Sequence, residues 1–192
     1  MSVPAPTDLR TDPQTGLQSR HAFCEDIRRR LAESQRHGNR LSVVLVNIGN
    51  LDTLIACRGE EAGNLVLRAC TKFFVAATRE MDLVARWDKY MFAIELPTAA
   101  LMDAVKVASR LKAHIESSPL QLMDAKLCFQ LMMGVAESLP NENQEDFIAR
   151  AETAQRASGM SPFKHVYYHN GISVESAAEV SARMAAAAVA VR

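Results

Sequence analysis

The side chains best placed for recognition chemistry lie in Arg79-Glu80-Met81-Asp82 and, further along, at Arg110 within Ala108-Ser109-Arg110-Leu111-Lys112. Guanidinium and carboxylate groups at this spacing admit two readings. They can close a corner, as an Arg79–Asp82 ion pair or with Asp82 capping a turn, or they can stand open to a polar ligand. Other reactive types are scattered. His21, His37, His114, His165 and His169 share no ligand spacing with one another or with a cysteine, so a metal centre is not expected. Cys24, Cys57, Cys70 and Cys128 form no C-x-x-C pair and follow no signal peptide, which reads as reduced thiols in a cytoplasmic protein.

The elements that must carry these residues follow from periodicity. Residues 82–86 and 91–96 read as two short strands joined by a polar turn at 87–90, because apolar residues flank a break too short for anything but a hairpin. Residues 41–48, a nearly unbroken β-branched run, read as a central strand covered on both faces. Around them the 3.6-residue repeat predicts helices over 20–36 (Phe23, Ile27 and Leu31 inward), 60–77 (Ala62, Val66, Ala69, Cys70 and Phe73), 99–117 (Ala100, Val105, Ala108, Leu111 and Ile115) and 144–157 (Phe147, Ile148 and Ala151). Further strands are expected over 126–136 and 163–168, only a short helix at best over 49–55, and an Ala-rich helix from 174 onward. Ser19 is the expected cap of the first helix and Gly16 supplies a turn before it.

That order of elements suits an α/β (α+β) fold: a ferredoxin-like core with a central mixed sheet of about five strands flanked by helices. Its 192 residues suit a single domain over 11–170, with a loose arm at 1–10 carrying Pro4 and Pro6 and a tail at 171–192. Basic and acidic residues number 22 each, so no global field draws the chain to nucleic acid or an anionic membrane, and no apolar run reaches membrane-spanning length. Arg28-Arg29-Arg30 reads as a solvated face, Trp87 as a packing residue, and the nine methionines, including Met132 and Met133, as core filler.

The hairpin and its flanks resemble the diguanylate cyclase (GGDEF) domain family. The resemblance rests on Arg79-x-x-Asp82, on Leu83-Val84-Ala85-Arg86 with an aromatic at Trp87, on Phe92 and the apolar strand ending in Pro97, and on Asp12, Thr15, Gly16, Leu17 and Arg20 of the opening motif. It implies a nucleotide-cyclase palm core over roughly residues 10 to 170. The family reaction joins two GTP molecules through phosphoryl transfers that need paired Mg²⁺ ions held by carboxylates.

Position by position, the resemblance places the family's metal ligands at Asn47, Gly49 and Tyr90, and the glutamate of the signature at Met91. None of these four is acidic. The signature glycines fall on Asp88 and Lys89, the guanine contacts on Ile55 and Asn64, and the phosphate lysine on Gly159. The resemblance therefore implies a degenerate member with no catalytic residues, no metal and no cofactor. What it retains is the family's product site, Arg79 and Asp82 ahead of the altered signature with Arg110 from the following helix. Guanidinium groups match guanine O6 and N7, and a carboxylate accepts from N1 and N2. The expected function is a catalytically inactive signalling domain that receives cyclic di-GMP and acts on a protein partner or as a homodimer. The alternative is a dimerisation or protein-interaction module that binds no nucleotide.

Overall fold

The run at 41–48 forms β2 (Leu41–Ile48), and its alternate residues feed two separate cores. The chain before it gives β1 (Gln18–Ser19) and α1 (Arg20–His37). After it come α2 (Leu51–Arg58), α3 (Glu60–Ala77), β3 (Leu83–Asp88), β4 (Met91–Pro97) and α4 (Leu101–Ser117). A small hairpin of β5 (Leu120–Leu122) and β6 (Ala125–Leu127) then precedes β7 (Leu131–Glu137), α5 (Gln144–Met160), β8 (Tyr167–His169) and β9 (Val174–Ser176). These come from a computed structural model describing residues 10–122, 125–127, 129–163 and 165–182. Most of the expected N-terminal arm and the end of the Ala-rich tail lie outside those residues, as does Cys128.

Seven strands form one mixed sheet in the order β1-β3-β4-β2-β7-β8-β9. β2 runs antiparallel to both neighbours, with Asn47 opposite Met91 on β4 and Met132 on β7. Val44, Val46 and Ile48 face α3 and α4, packing with Val66, Phe74 and Leu111. Leu41, Val43 and Leu45 face α1 and α5, against Phe23, Ile27 and Phe147. Burying each such side chain stabilises the fold by roughly 1.5–3 kcal/mol. At Gly134 any side chain would collide with the backbone of Ala151 and Gln155, so the glycine lets α5 lie directly on β7.

Several expectations shift. The sheet gains β1 and β9, pieces of two and three residues that are too short to carry a periodic signal. The single strand expected over 126–136 is split into β6 and β7, and the last strand starts at Tyr167 rather than 163. Residues 174–176 are strand, with helix only from 177. On α3 the fully buried aromatic is Phe74, whereas Phe73 is half-buried and stacks on His114 at 4.9 Å.

Two residues read from sequence as ordinary carry an unusual burden. Glu95 occupies an apolar position in β4 and is completely buried, with Val43 and Leu83 as its register partners. Arg30, read as part of a solvated face, reaches in from α1, its Nε 2.8 Å from Glu95 Oε1. That N–H is directed at Asp26 Oδ2, 3.0 Å away, so neither Glu95 oxygen receives a hydrogen bond among the described residues. Burial raises the Glu95 carboxyl from an ordinary 4.5 to about 7, with the Arg30 charge opposing the rise.

The folded state thus holds this proton more tightly than the unfolded chain. The pH-dependent penalty of Glu95 is absent below about pH 4.5, grows as pH rises toward about 7, and then levels off at a loss of about 3 kcal/mol. Thermal melts of Glu95→Gln should therefore gain on the unmodified protein between pH 5 and pH 8; parallel curves across that range would refute the assignment.

Candidate functional site

The hairpin tip is built by strand pairing and one bulge. Arg86 pairs with Phe92, but the next paired residues are Asp88 and Met91, so Trp87 is the extra residue and Lys89-Tyr90 makes the connection. Sequence reasoning placed the turn over 87–90; Trp87 and Asp88 belong instead to β3 because the bulge keeps them in the ladder. Trp87 is buried edge-on to Phe23 with Arg20 over its ring at 4.2 Å, as a packing residue should be. The tip is tied to the end of β2 by Ile48 N–H, which donates to Tyr90 O at 3.1 Å. Arg86 braces it from beneath, its Nη2 donating to Lys89 O and, at 3.3 Å, to Gln14 Oε1.

A cavity of about 310 Å³ opens between this tip, the opening motif and α3, lined by Asp12, Arg20, Asn64, Arg86, Lys89 and Tyr90 among others. Asp12 Oδ1 accepts from Thr15 N–H at 2.8 Å and Gly16 takes a φ of 73°, which folds the motif into a turn. Gln14 Nε2 donates to Asn64 Oδ1, so one glutamine bridges Asn64 and Arg86. Ile55 packs against Gly63, where any side chain would collide with it. The cavity's α3 wall is thus held by an internal amide contact and an apolar contact.

Divalent ions do not fit the positions that the resemblance assigns to them. Asn47 lies on the α5 side of the sheet between Met91 and Met132, which makes Met132 a half-exposed neighbour of Asn47 rather than core filler. A Cβ at Gly49 would stand 3.1 Å from Gln130 O, and Tyr90 offers a phenol under the Lys89 ammonium, whose Nζ is 4.8 Å from the ring centre. A thioether is a poor ligand for hard Mg²⁺, and the Asn47 amide and Tyr90 phenol offer oxygen without the charge of a carboxylate. Among the described residues no three His, Cys, Asp or Glu side chains come together as a metal site.

The second corner lies where α3 ends and β3 begins. Asp82 Oδ2 accepts from Arg79 N–H at 2.8 Å, and Asp82 N–H donates to Arg79 O at 3.0 Å, so the aspartate caps the turn. The Arg79 guanidinium is not in the ion pair the sequence allowed; it is exposed, with no carboxylate partner among the described residues. From α4, Arg110 Nη2 points to Ala77 O at 3.5 Å, a cation at the C-terminal end of α3. Arg79 and Asp82 thus share the turn after α3, beside the exposed Met81, and Arg110 reaches the last residue of that helix from α4. Sequence reasoning missed Gln14 and Glu95. Nothing marked Gln14, but Glu95 was legible as a lone charge inside an apolar strand.

A profile of the family described as diguanylate cyclase, GGDEF domain, matches residues 9–162. The chain belongs to that family. Among its relatives is diguanylate cyclase DgcP of Pseudomonas aeruginosa, 28% identical over 144 residues that make up 75% of this chain and 22% of that protein. Response regulator PleD of Caulobacter vibrioides is 24% identical over 128 residues, 67% of this chain and 28% of PleD. The chain thus spans well under half the length of these curated relatives. The GGDEF domain of DgcB from Caulobacter crescentus, solved in complex with c-di-GMP, superposes with a TM-score of 0.77 at 23% identity, covering 81% of this chain and 92% of that one. No helix among the described residues is long and apolar enough to cross a membrane.

Titrating the purified protein with Mn²⁺ and following the free ion by electron paramagnetic resonance should show no saturable site in the micromolar range. A stoichiometric site lost on Asn47→Ala would reverse the ligand assignment.

Proposed function

We propose that this chain is a GGDEF signalling domain without cyclase activity that receives cyclic di-GMP at the corner formed by Arg79, Asp82 and Arg110. The lack of catalysis is supported by the chemistry of the hairpin tip. Paired ions offset triphosphate charge and lower the pKa of the attacking hydroxyl in phosphoryl transfer, and Asn47, Gly49 and Tyr90 provide no carboxylate to hold them. Ile55, packed on Gly63, offers a base edge no hydrogen bond, and Gly159 has no side chain to meet a phosphate.

The single observation that carries the receptor reading is the unpaired Arg79 guanidinium beside Asp82, with Arg110 reaching the same corner. Two forks of donors and one acceptor suit a guanine edge and its phosphodiester without any metal. The c-di-GMP complex of DgcB adds support at the level of fold. SiaD of Pseudomonas aeruginosa, 26% identical with a TM-score of 0.75 over 79% of this chain and 58% of that one, was solved with its activator SiaC. Transmission of the bound state to a protein partner or a second copy is consistent with that example.

The alternative, an interaction module that binds no nucleotide, is favoured by Met160 and Phe163, which are 86% and 74% exposed.

Isothermal titration should detect cyclic di-GMP binding at tens of micromolar protein, weakened at least tenfold in Arg79→Ala, a loss of about 1.4 kcal/mol or more. No heat, or identical binding by the variant, would leave the interaction-module reading. Incubation with GTP and Mg²⁺ or Mn²⁺ should give no cyclic di-GMP by chromatography; a product peak scaling with protein would show turnover.

A further inference from the structure

The carboxamide of Gln14 joins the walls of the cavity beside the hairpin tip. The turn that carries it is pinned: Asp12 Oδ1 accepts from Thr15 N–H at 2.8 Å and from the Thr15 hydroxyl at 2.5 Å, and Asp12 O accepts from Gly16 N–H at 2.8 Å. From that turn the half-buried Gln14 side chain enters the cavity. Its Oε1 accepts from Arg86 Nη2 at 3.3 Å, and its Nε2 donates to Asn64 Oδ1. A guanidinium only donates, so the amide oxygen must face Arg86 and the amide nitrogen Asn64. Arg86 of β3 and Asn64 of α3 therefore offer one donor and one acceptor to the group that lies between them.

A primary amide and a ring lactam carry the same edge, a carbonyl oxygen and an N–H on one carbon. Hypoxanthine presents this edge as C6=O and N1–H. Adenine presents the reverse, a donor on C6 and an acceptor at N1. From this match we infer that Gln14 is an internal occupant of a site for a nucleobase lactam edge, and that its side chain keeps the cavity closed to free bases. The about 310 Å³ of the cavity, with Ile55 and Leu67 in its lining, gives a ring apolar surface to rest on. Arg86 supplies the demand. It is buried, its Nη1 has no partner among the described residues, and Nη2 serves only Lys89 O besides Gln14. Removing the Gln14 oxygen leaves a buried cation that favours a carbonyl at the same spot.

Tethering sets the competition. Held on its turn, the Gln14 amide acts at the effective concentration of a linked group, so a free base must displace it before binding. Displacement also unhooks the opening turn from α3, since the bond to Asn64 is made across 50 residues of sequence. The inference does not rest on the receptor reading, because the Arg79 corner and this cavity share no side chain.

Titration calorimetry with inosine and adenosine, which differ only at this edge, tests it. In Gln14→Ala, inosine should bind about tenfold or more tightly than to the unmodified protein, adenosine should show no gain, and adding Asn64→Leu should remove the gain. A purely structural role for Gln14 predicts lost stability and no gain of binding. A folded Gln14→Ala that gains nothing, or that gains equally for both nucleosides, would overturn the inference. The unmodified protein gives a check that needs no variant. Hydrogen exchange of the Gln14 carboxamide, followed by NMR, should quicken by about threefold in excess inosine and not in adenosine; equal rates in the two would rule out displacement.

Discussion

Burial of β2 on both faces is the constraint from which the rest of the architecture follows. Val44, Val46 and Ile48 serve the core under α3 and α4, while Leu41, Val43 and Leu45 serve the core under α1 and α5. A slip of one residue would exchange the two sets, so the register of β4 and β7 against β2 is held from both sides. That register places Asn47 between Met91 and Met132, and the Ile48–Tyr90 hydrogen bond joins the hairpin tip to the end of the same strand. The framework that presents a GGDEF hairpin is therefore intact in this chain. The tip residues Asp88, Lys89 and Tyr90 line the cavity that this framework opens beside the hairpin.

Charge is distributed according to the same logic. Arg86 is buried beneath the tip, bonded to Lys89 O and over the Phe92 ring, with desolvation lowering its pKa; there a cation serves the turn. Arg30 divides its attention between Asp26 and Glu95, holding α1 to the sheet at a cost that grows with pH. Both cations are tied to groups of the fold, Arg86 to Lys89 O and Arg30 to Asp26. At the corner of α3 and β3 the arrangement is the reverse. Asp82 satisfies the backbone, which leaves the Arg79 guanidinium in solvent, while Arg110 reaches Ala77 O at the end of α3. The corner and the hairpin tip share no side chain, so each is set by its own neighbours.

Much of the fold was legible in the amino-acid order. The helix beginning at Arg20 with Ser19 as its cap, the helix from Glu60 to Ala77 and the central strand all follow from periodicity and one good capping residue. Less was legible where signals are short or shared. The bulge at Trp87 and the edge pieces β1 and β9 depend on pairing with distant strands, which no local window contains. Phe74 displaced Phe73 from the core because adjacent helical positions differ by 100°, and only the packed neighbours decide which one faces inward.

The sequence by itself determined which groups are available: no carboxylate at positions 47, 49 or 90, a hairpin of GGDEF type, and an Arg-x-x-Asp ahead of it. Tertiary structure alone decided which of those groups are free. Arg79 and Arg30 are the same residue type, yet one stands in solvent at an open corner and the other is drawn toward a buried glutamate. The difference comes from what packs against each side chain, and such neighbours are brought together only when distant segments fold onto one sheet.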